Sequence, residues 1–180
     1  DSFASIRSRD DARRFFEQHF ADAAALMPML LDDFERNPVG SMVTVRCAPW
    51  SHAGKVALVG DAAHAVVPFY GQGMNASFED CTALFDCLTR HGPNTAAAFD
   101  EYEQRRKTNS DALADLAIVN FLEMRDKTAS RVFHMRKRIE RTLHKWLPGV
   151  YTPLYTMVSF TRTPYADARK RAKTQDVLVS

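Results

Sequence analysis

The sequence predicts a helix-rich α/β fold, and three observations carry that reading. Residues 54–60, GKVALVG, are a near-continuous apolar run ending on a glycine, the pattern of a strand buried on both faces of a parallel or mixed sheet. Pro68, Gly71 and Gly73 then break the chain into a loop, and NASFEDCTALFDCLTRH, residues 75–91, resumes as an amphipathic helix. Beyond Gly92-Pro93, apolar residues recur at helical spacing through most of the remaining sequence.

The first segment, SRDDARRFFEQHFADAAALMPMLLDDFERNP, sets Phe15, Phe16, His19 and Phe20, then Leu26, Met27, Leu30, Leu31 and Phe34, at helical intervals. Two packed helices are expected, with Pro28 setting a bend or break. SMVTVRCAPW, residues 41–50, alternates Met42, Val43, Val45 and Cys47 against polar neighbours and stops at Pro49, which predicts a half-buried strand. After KVALVG, the helix from Asn75 to His91 carries Phe78, Cys81, Leu84, Phe85 and Leu88 as one apolar stripe, with its start near Met74 and Asn75. Residues 95–126 read as one long helix or two abutting ones, the joint falling at KTNSD, where helix-poor polar residues cluster. A basic helix over 129–146 ends at LPG, and TPLYTMVSF and PYADARKRAKTQDVL close the chain. There is no internal repeat, low-complexity segment or flexible linker.

Composition bounds the function. With 180 residues, 46% hydrophobic and 26% charged, the chain can bury one substantial core or contribute to a larger one. A net charge of +2 gives no global field that would argue for nucleic acid. Cys47, Cys81 and Cys87 form no CxxC pair, so a reducing, cytoplasmic setting is expected rather than a disulfide framework or a zinc ribbon. The longest apolar runs fall far short of the ~20 residues of a membrane span. The sequence begins at Asp1 with no charged-then-apolar leader, and it is expected to be a piece of a longer protein.

The glycine-rich stretch is where chemistry is expected. The carboxyl end of a strand in an open α/β sheet is a ligand edge. Asp61 there can accept hydrogen bonds from a sugar or ribitol hydroxyl, and Gly60 lets a ligand approach the backbone. The helix that follows points unsatisfied N–H groups and a positive dipole end at whatever lies above the loop, which suits a phosphate or an anionic flavin ring. Ordinary α/β construction explains the same run, because a lone GxG is a weak signal. His64 with Asp61 makes a poor metal site, and no metal is expected. No hydrolase signature occurs, and Ser77 is read as a cap in SFED. The basic run RVFHMRKRIERTLHK is read as a solvated helix face holding carboxylates.

GDAAHAVVP followed by GQGMN resembles the second flavin-contacting motif of the FAD-dependent aromatic hydroxylases. VPFYGQGMNASFEDC, with NPVGSMVTVRCAPW upstream and NFLEMRD and PLYTMVSF downstream, narrows the resemblance to the branch that acts on L-kynurenine and extends it over almost the whole chain. The resemblance implies the C-terminal part of an FAD/NAD(P)-binding, Rossmann-like flavin monooxygenase fold. Residues 1–53 would end a substrate domain, 54–107 would close the FAD-binding domain, and 108–180 would form a helical section. Gly60 and Asp61 would hold the ribityl region of FAD, and Gly73, Met74 and Asn75 would set amides near the flavin's pyrimidine edge. Pro68, Phe69, Tyr70, Gly71 and Gln72 would form the loop over the flavin face, although family members often carry Phe or His in place of Tyr70.

Asn120 shares a helical face with Leu113, Leu116, Ala117 and Met124, and an amide on an apolar stripe needs a partner, which a neighbouring backbone group would satisfy. By resemblance, Asn120 and Tyr155 instead bind the amino-acid head of L-kynurenine, and Met124 lines the ring pocket. The implied reaction is hydroxylation of L-kynurenine to 3-hydroxykynurenine with NAD(P)H and O2, in tryptophan degradation. The GxGxxG unit that binds the ADP half of FAD is expected in an N-terminal remainder of the protein, so the isolated chain is expected to be inactive. The alternatives are another FAD-dependent aromatic hydroxylase, or a non-enzymatic helical module that retains the flavin loop.

Overall fold

A computed structural model of the chain describes residues 3–176. The chain divides into two compact units, the first ending at Met42 and the second beginning at Val43.

The first unit holds a 3-10 turn, Phe3–Ser5, and helices α1, Arg9–His19, α2, Ala21–Ala24, and α3, Leu30–Arg36. A capping box starts α1: Ser8 Oγ accepts from Asp11 N–H, and the Asp11 carboxylate accepts from Ser8 N–H, both at 3.1 Å. Helices α1 and α3 pack through an edge-on pair, Phe16 and Phe34, 6.0 Å apart. Arg9 reaches across to Asp32 at 2.6 Å and Glu35 at 2.7 Å. Pro28 falls between α2 and α3, where a break was expected. The second of the two expected helices is α3, which begins only at Leu30 and leaves Leu26 in the connection and exposed.

The second unit opens with the clearest departures from expectation. SMVTVRCAPW is not a strand: residues 41–50 carry no ladder, and Val45 N–H reaches only the carbonyl of Ala65, at 2.8 Å. KVALVG contributes just β2, Val56–Ala57, paired antiparallel with β1, Ser51–His52, around the positive-φ turn at Ala53 and Gly54. No parallel neighbour stands beside it among the described residues, so alternation and apolarity alone did not make a strand; pairing does. Leu58 and Val59 pack sideways onto a cluster around Trp50 rather than into a sheet.

Helices make up the rest: α4, Asp61–His64; α5, Gly73–His91; α6, Thr95–Asp126; α7, Arg131–Trp146; α8, Leu154–Phe160; and α9, Tyr165–Asp176. Gly92, at φ 54°, closes α5, and Asn94 caps α6 by accepting from Ala97 N–H. The expected joint at KTNSD is absent, and α6 runs unbroken through residues 107 and 108. Three of the polar side chains there are partnered, while Ser110 Oγ is buried with no hydrogen bond among the described residues. Lys107 pairs with Asp111 at 3.0 Å, and Asn109 Oδ1 accepts from Ala166 N–H at 3.1 Å, capping the neighbouring helix instead of bending its own.

Two apolar clusters flank α6. One joins Trp50, Ala63, Ala83, Cys87, Ala98 and Tyr102, and the other joins Ala76, Leu113, Leu116, Met157, Tyr165 and Ala168. The buried face of α5 is therefore Ala76, Asp80, Ala83 and Cys87, small residues that let α6 approach closely. The stripe expected to be buried is not: Phe78 and Phe85 are 63% and 69% exposed, Cys81 is exposed, and only Leu84 and Leu88 pack against the Trp50 cluster. On α7, Arg136 and Lys137 hold the buried carboxylate of Glu140 at 3.2 and 3.1 Å, as expected of that basic run. The end of PYADARKRAKTQDVL lies outside the described residues.

Candidate functional site

The residues from Gly60 to Asn75 in the second unit are placed by local backbone requirements. Gly60 adopts φ 62° and ψ −138°, and a Cβ there would stand 2.8 Å from Ser77 Oγ, so no other residue fits without displacement. Its carbonyl accepts from Ala63 N–H at 2.9 Å and His64 N–H at 3.0 Å, which winds α4 at once. Asp61 is thus the first residue of a short helix rather than the end of a strand. Its carboxylate is exposed and forms no hydrogen bond or ion pair among the described residues.

Pro68 to Gln72 turn back through a bond from Gly71 N–H to the Pro68 carbonyl, 3.2 Å, and Gly71 at φ 66° has open space where a Cβ would point. Helix α5 begins at Gly73, one residue before Met74. Its first bond runs from Ala76 N–H to the Gln72 carbonyl at 2.9 Å, so the amides of Gly73, Met74 and Asn75 precede the intrahelical ladder. Among the described residues no side chain caps this end: Asn75 Nδ2 donates to Gln72 Oε1 at 2.9 Å, and Ser77 Oγ, expected as a cap, donates to the Gly73 carbonyl at 3.0 Å from within the helix.

Beneath the loop lies a buried polar cluster that the sequence did not announce. Asp80 is 0% exposed. Its Oδ2 accepts from Gly60 N–H at 3.1 Å and from His64 Nε2, and its Oδ1 accepts from Arg106 Nε at 2.6 Å. Arg106 also donates to Glu79, at 2.7 Å, and to the Ala76 carbonyl, at 3.1 Å. The His64 ring lies against Trp50, centroids 5.2 Å apart. Burial by itself pushes the Asp80 carboxyl up, but the hydrogen bonds from His64 and Arg106 outweigh it and hold the group below its ordinary value. One signal was available: a carboxylate flanked at i−4 and i+3 by Ala76 and Ala83 stands on the small-residue face of an amphipathic helix.

The expected substrate residues converge. Asn120, Met124 and Tyr155 line one cavity of about 400 Å³ together with Tyr70 from the loop. Tyr70 and Tyr155 stack with centroids 5.8 Å apart at 25°. Asn120 Nδ2 donates to the Phe69 carbonyl at 2.8 Å, the backbone partner that an amide on an apolar stripe requires. Its Oδ1 and the Tyr155 hydroxyl form no hydrogen bond among the described residues. Burial first, then Glu123 and Tyr155, pushes the Tyr70 phenol up to about 12, so it is a neutral donor at physiological pH. The far wall comes from α7, with Phe133, Lys137 and Glu140, which sequence reasoning had left on a solvated helix. A larger cleft, about 800 Å³, lined by α5, α6 and the segment from Val158 to Tyr165, takes in only Gln72 and Asn75 of the expected residues.

The sequence profile of the family described as FAD binding domain matches residues 7–117. The chain belongs to the FAD-binding domain family. FAD is the cofactor of this family, and the residues present fit it on structural grounds. An unpartnered carboxylate at Asp61, an uncapped 19-residue helix and a glycine turn with open space above it are the groups that a ribityl chain and an anionic ring edge would use. Among curated relatives, proteins named kynurenine 3-monooxygenase are similar to this FAD-binding chain. That of Salinispora arenicola is 49% identical over 175 residues, 97% of this chain and 38% of its own length. Those of Dictyostelium discoideum and Flavobacterium psychrophilum are 45% identical, over 94% and 93% of this chain. The chain therefore spans about two fifths of the length of the curated relatives it matches, at 38–39%. No helix among the described residues is long and apolar enough to cross a membrane.

Proposed function

We propose that this chain is the C-terminal part of a flavin-dependent monooxygenase that converts L-kynurenine to 3-hydroxykynurenine with NAD(P)H and O2. The observation that carries the reading is the single cavity holding Tyr70, Asn120, Met124 and Tyr155 directly behind the Pro68–Gln72 loop. The names of the similar relatives agree with it. In this reading, residues 54–107 complete the FAD-binding domain of a Rossmann-like fold, residues 1–53 end the substrate domain, and residues 108–180 close the pocket. The N-terminal remainder would supply the site for the ADP half. The free thiols of Cys47, Cys81 and Cys87 fit a reducing, cytoplasmic setting.

Bound FAD would supply oxygen activation, with electrons from NAD(P)H. The chain's own residues bind and orient. Asp61 would accept from a ribityl hydroxyl, and the amides of Gly73, Met74 and Asn75 would hold the anionic ring edge. Asn120 Oδ1 accepts from the substrate ammonium, the Tyr155 hydroxyl donates to its carboxylate, and Met124 and Tyr70 hold the ring. Asn120 Nδ2, bonded to Phe69, keeps the loop at the pocket mouth and helps exclude water. The substrate's aromatic amine already enriches the neighbouring ring carbon in electrons, so no protein base is required to activate it.

The test is to prepare the whole protein and follow flavin absorbance and NAD(P)H oxidation. Kynurenine-stimulated oxidation with 3-hydroxykynurenine formed supports the proposal. Stimulation by a phenolic acid alone points to another aromatic hydroxylase, and absence of flavin points to a non-enzymatic module. Within the same protein, Asp61→Ala is expected to weaken FAD binding about tenfold, as loss of one hydrogen bond to a charged group does. Unchanged flavin retention after dialysis would remove Asp61 from the site.

A further inference from the structure

The carboxylate of Asp80 is out of contact with solvent, yet it is not placed as a simple ion pair. Its three donors come from two separate parts of the chain: Gly60 N–H and His64 from the loop and α4, and Arg106 from α6. The other arm of Arg106 returns to the carbonyl of Ala76, in the first turn of α5. The cluster therefore ties the residue before Asp61 to the helix whose first amides are Gly73, Met74 and Asn75. A buried charge cluster is a poor device for stability alone, because apolar side chains of similar volume do as well or better. One of its acceptor positions is spent on a backbone N–H adjacent to the exposed, unpartnered Asp61. Gly60 is locked from the other side as well, with Ser77 in the space that a Cβ would need.

We propose that Asp80, supported by Arg106 and His64, is a positioning residue for FAD: by clasping the Gly60 amide it fixes where Asp61 stands relative to the first turn of α5. The inference rests on the reading that Asp61 and the α5 amides hold the cofactor. Asp80 touches no ligand atom and acts through Asp61. Asp80→Asn keeps the side chain's size but leaves a single acceptor oxygen. When that oxygen serves Arg106, the amide nitrogen faces Gly60 N–H, donor against donor, and the clasp opens.

The experiment is a double-mutant cycle on the FAD-loaded whole protein, read as the FAD Kd and as the visible circular dichroism of the bound flavin. Asp80→Asn is expected to weaken FAD roughly tenfold and to alter the flavin dichroism, whereas in an Asp61→Ala background the same change costs less than about twofold. Arg106→Lys, which keeps the charge but lacks the planar fork, gives the same non-additive pattern with a smaller first effect, and it serves as the working variant if Asp80→Asn does not fold. Effects that multiply in the cycle, with the flavin dichroism unchanged, show that Asp80 only braces the core and overturn the inference while leaving the site reading intact. An Asp61→Ala protein that binds FAD like its parent overturns the site reading and this inference together, so the two failures are distinguishable.

Discussion

Asn120→Ala and Tyr155→Phe are each expected to raise the kynurenine Kd of the flavin-loaded protein about ten- to a hundredfold, since in the proposed site each removes one hydrogen bond to a charged substrate group. The two should then diverge. Tyr155→Phe keeps the ring that stacks on Tyr70 and loses only a hydroxyl with no partner among the described residues, so turnover at saturating substrate should stay near the parent value. Asn120→Ala also releases the Phe69 carbonyl, which its amide holds at 2.8 Å. The loop is then free to move at the pocket mouth, and more NAD(P)H should be oxidised per kynurenine hydroxylated. Binding titrations together with the ratio of product to NAD(P)H consumed check both statements. Parent-like kynurenine affinity in both variants would remove these residues from the substrate site, and tight coupling in Asn120→Ala would remove the amide's second role.

Asp80→Ala is expected to cost about 3–5 kcal/mol of folding free energy, because it leaves the Arg106 guanidinium buried without its main partner. The expected pH dependence follows from the depressed carboxyl. A group whose folded-state pKa lies below its unfolded value contributes stability that is present above the unfolded pKa, about 4 for Asp, and is lost as pH falls through the folded pKa. The parent should therefore lose stability below about pH 4, and the part of that loss due to Asp80 should be missing in the variant. Urea unfolding followed by tryptophan fluorescence is a suitable readout, because the buried Trp50 ring lies against His64, which bonds Asp80. A variant within about 1 kcal/mol of the parent would mean that water or Glu79 compensates Arg106, contrary to the buried geometry.

What could be read in the sequence follows from how far each determinant reaches along the chain. The loop from Gly60 to Gly73 was legible because glycine and proline impose their conformations locally. The start of α5 fell one residue from its expected place for the same reason. That Asn120, Met124 and Tyr155 gather at one cavity was expected only through resemblance: nothing in their spacing says that residues 70 and 155 stack. The strands failed because an apolar or alternating run becomes a strand only beside a partner, and no local feature of KVALVG names one. On α5, large side chains drew attention to Phe78 and Phe85, whereas the face that packs on α6 is written in alanine, cysteine and one aspartate. Asp80 and Arg106 stand 26 residues apart, and neither charge is unusual until the fold removes both from water.

Helix α6 sets one further constraint. It carries Arg106, which holds the buried Asp80, and Asn120, which lines the cavity with Tyr70 and Tyr155, on a single uninterrupted spiral. Fourteen residues separate them, about 21 Å of rise. Inserting or deleting one residue in that span would swing Asn120 by about 100° around the axis and take it out of the cavity, and the next in-phase solution, four residues on, would carry it about 6 Å too far. The surface turns of this chain can change length during divergence, whereas the span between these two side chains can change only letter by letter. Its length acts as a gauge, holding the spacing between the buried Asp80 cluster and the Tyr70–Tyr155 cavity whatever happens to the loops around them.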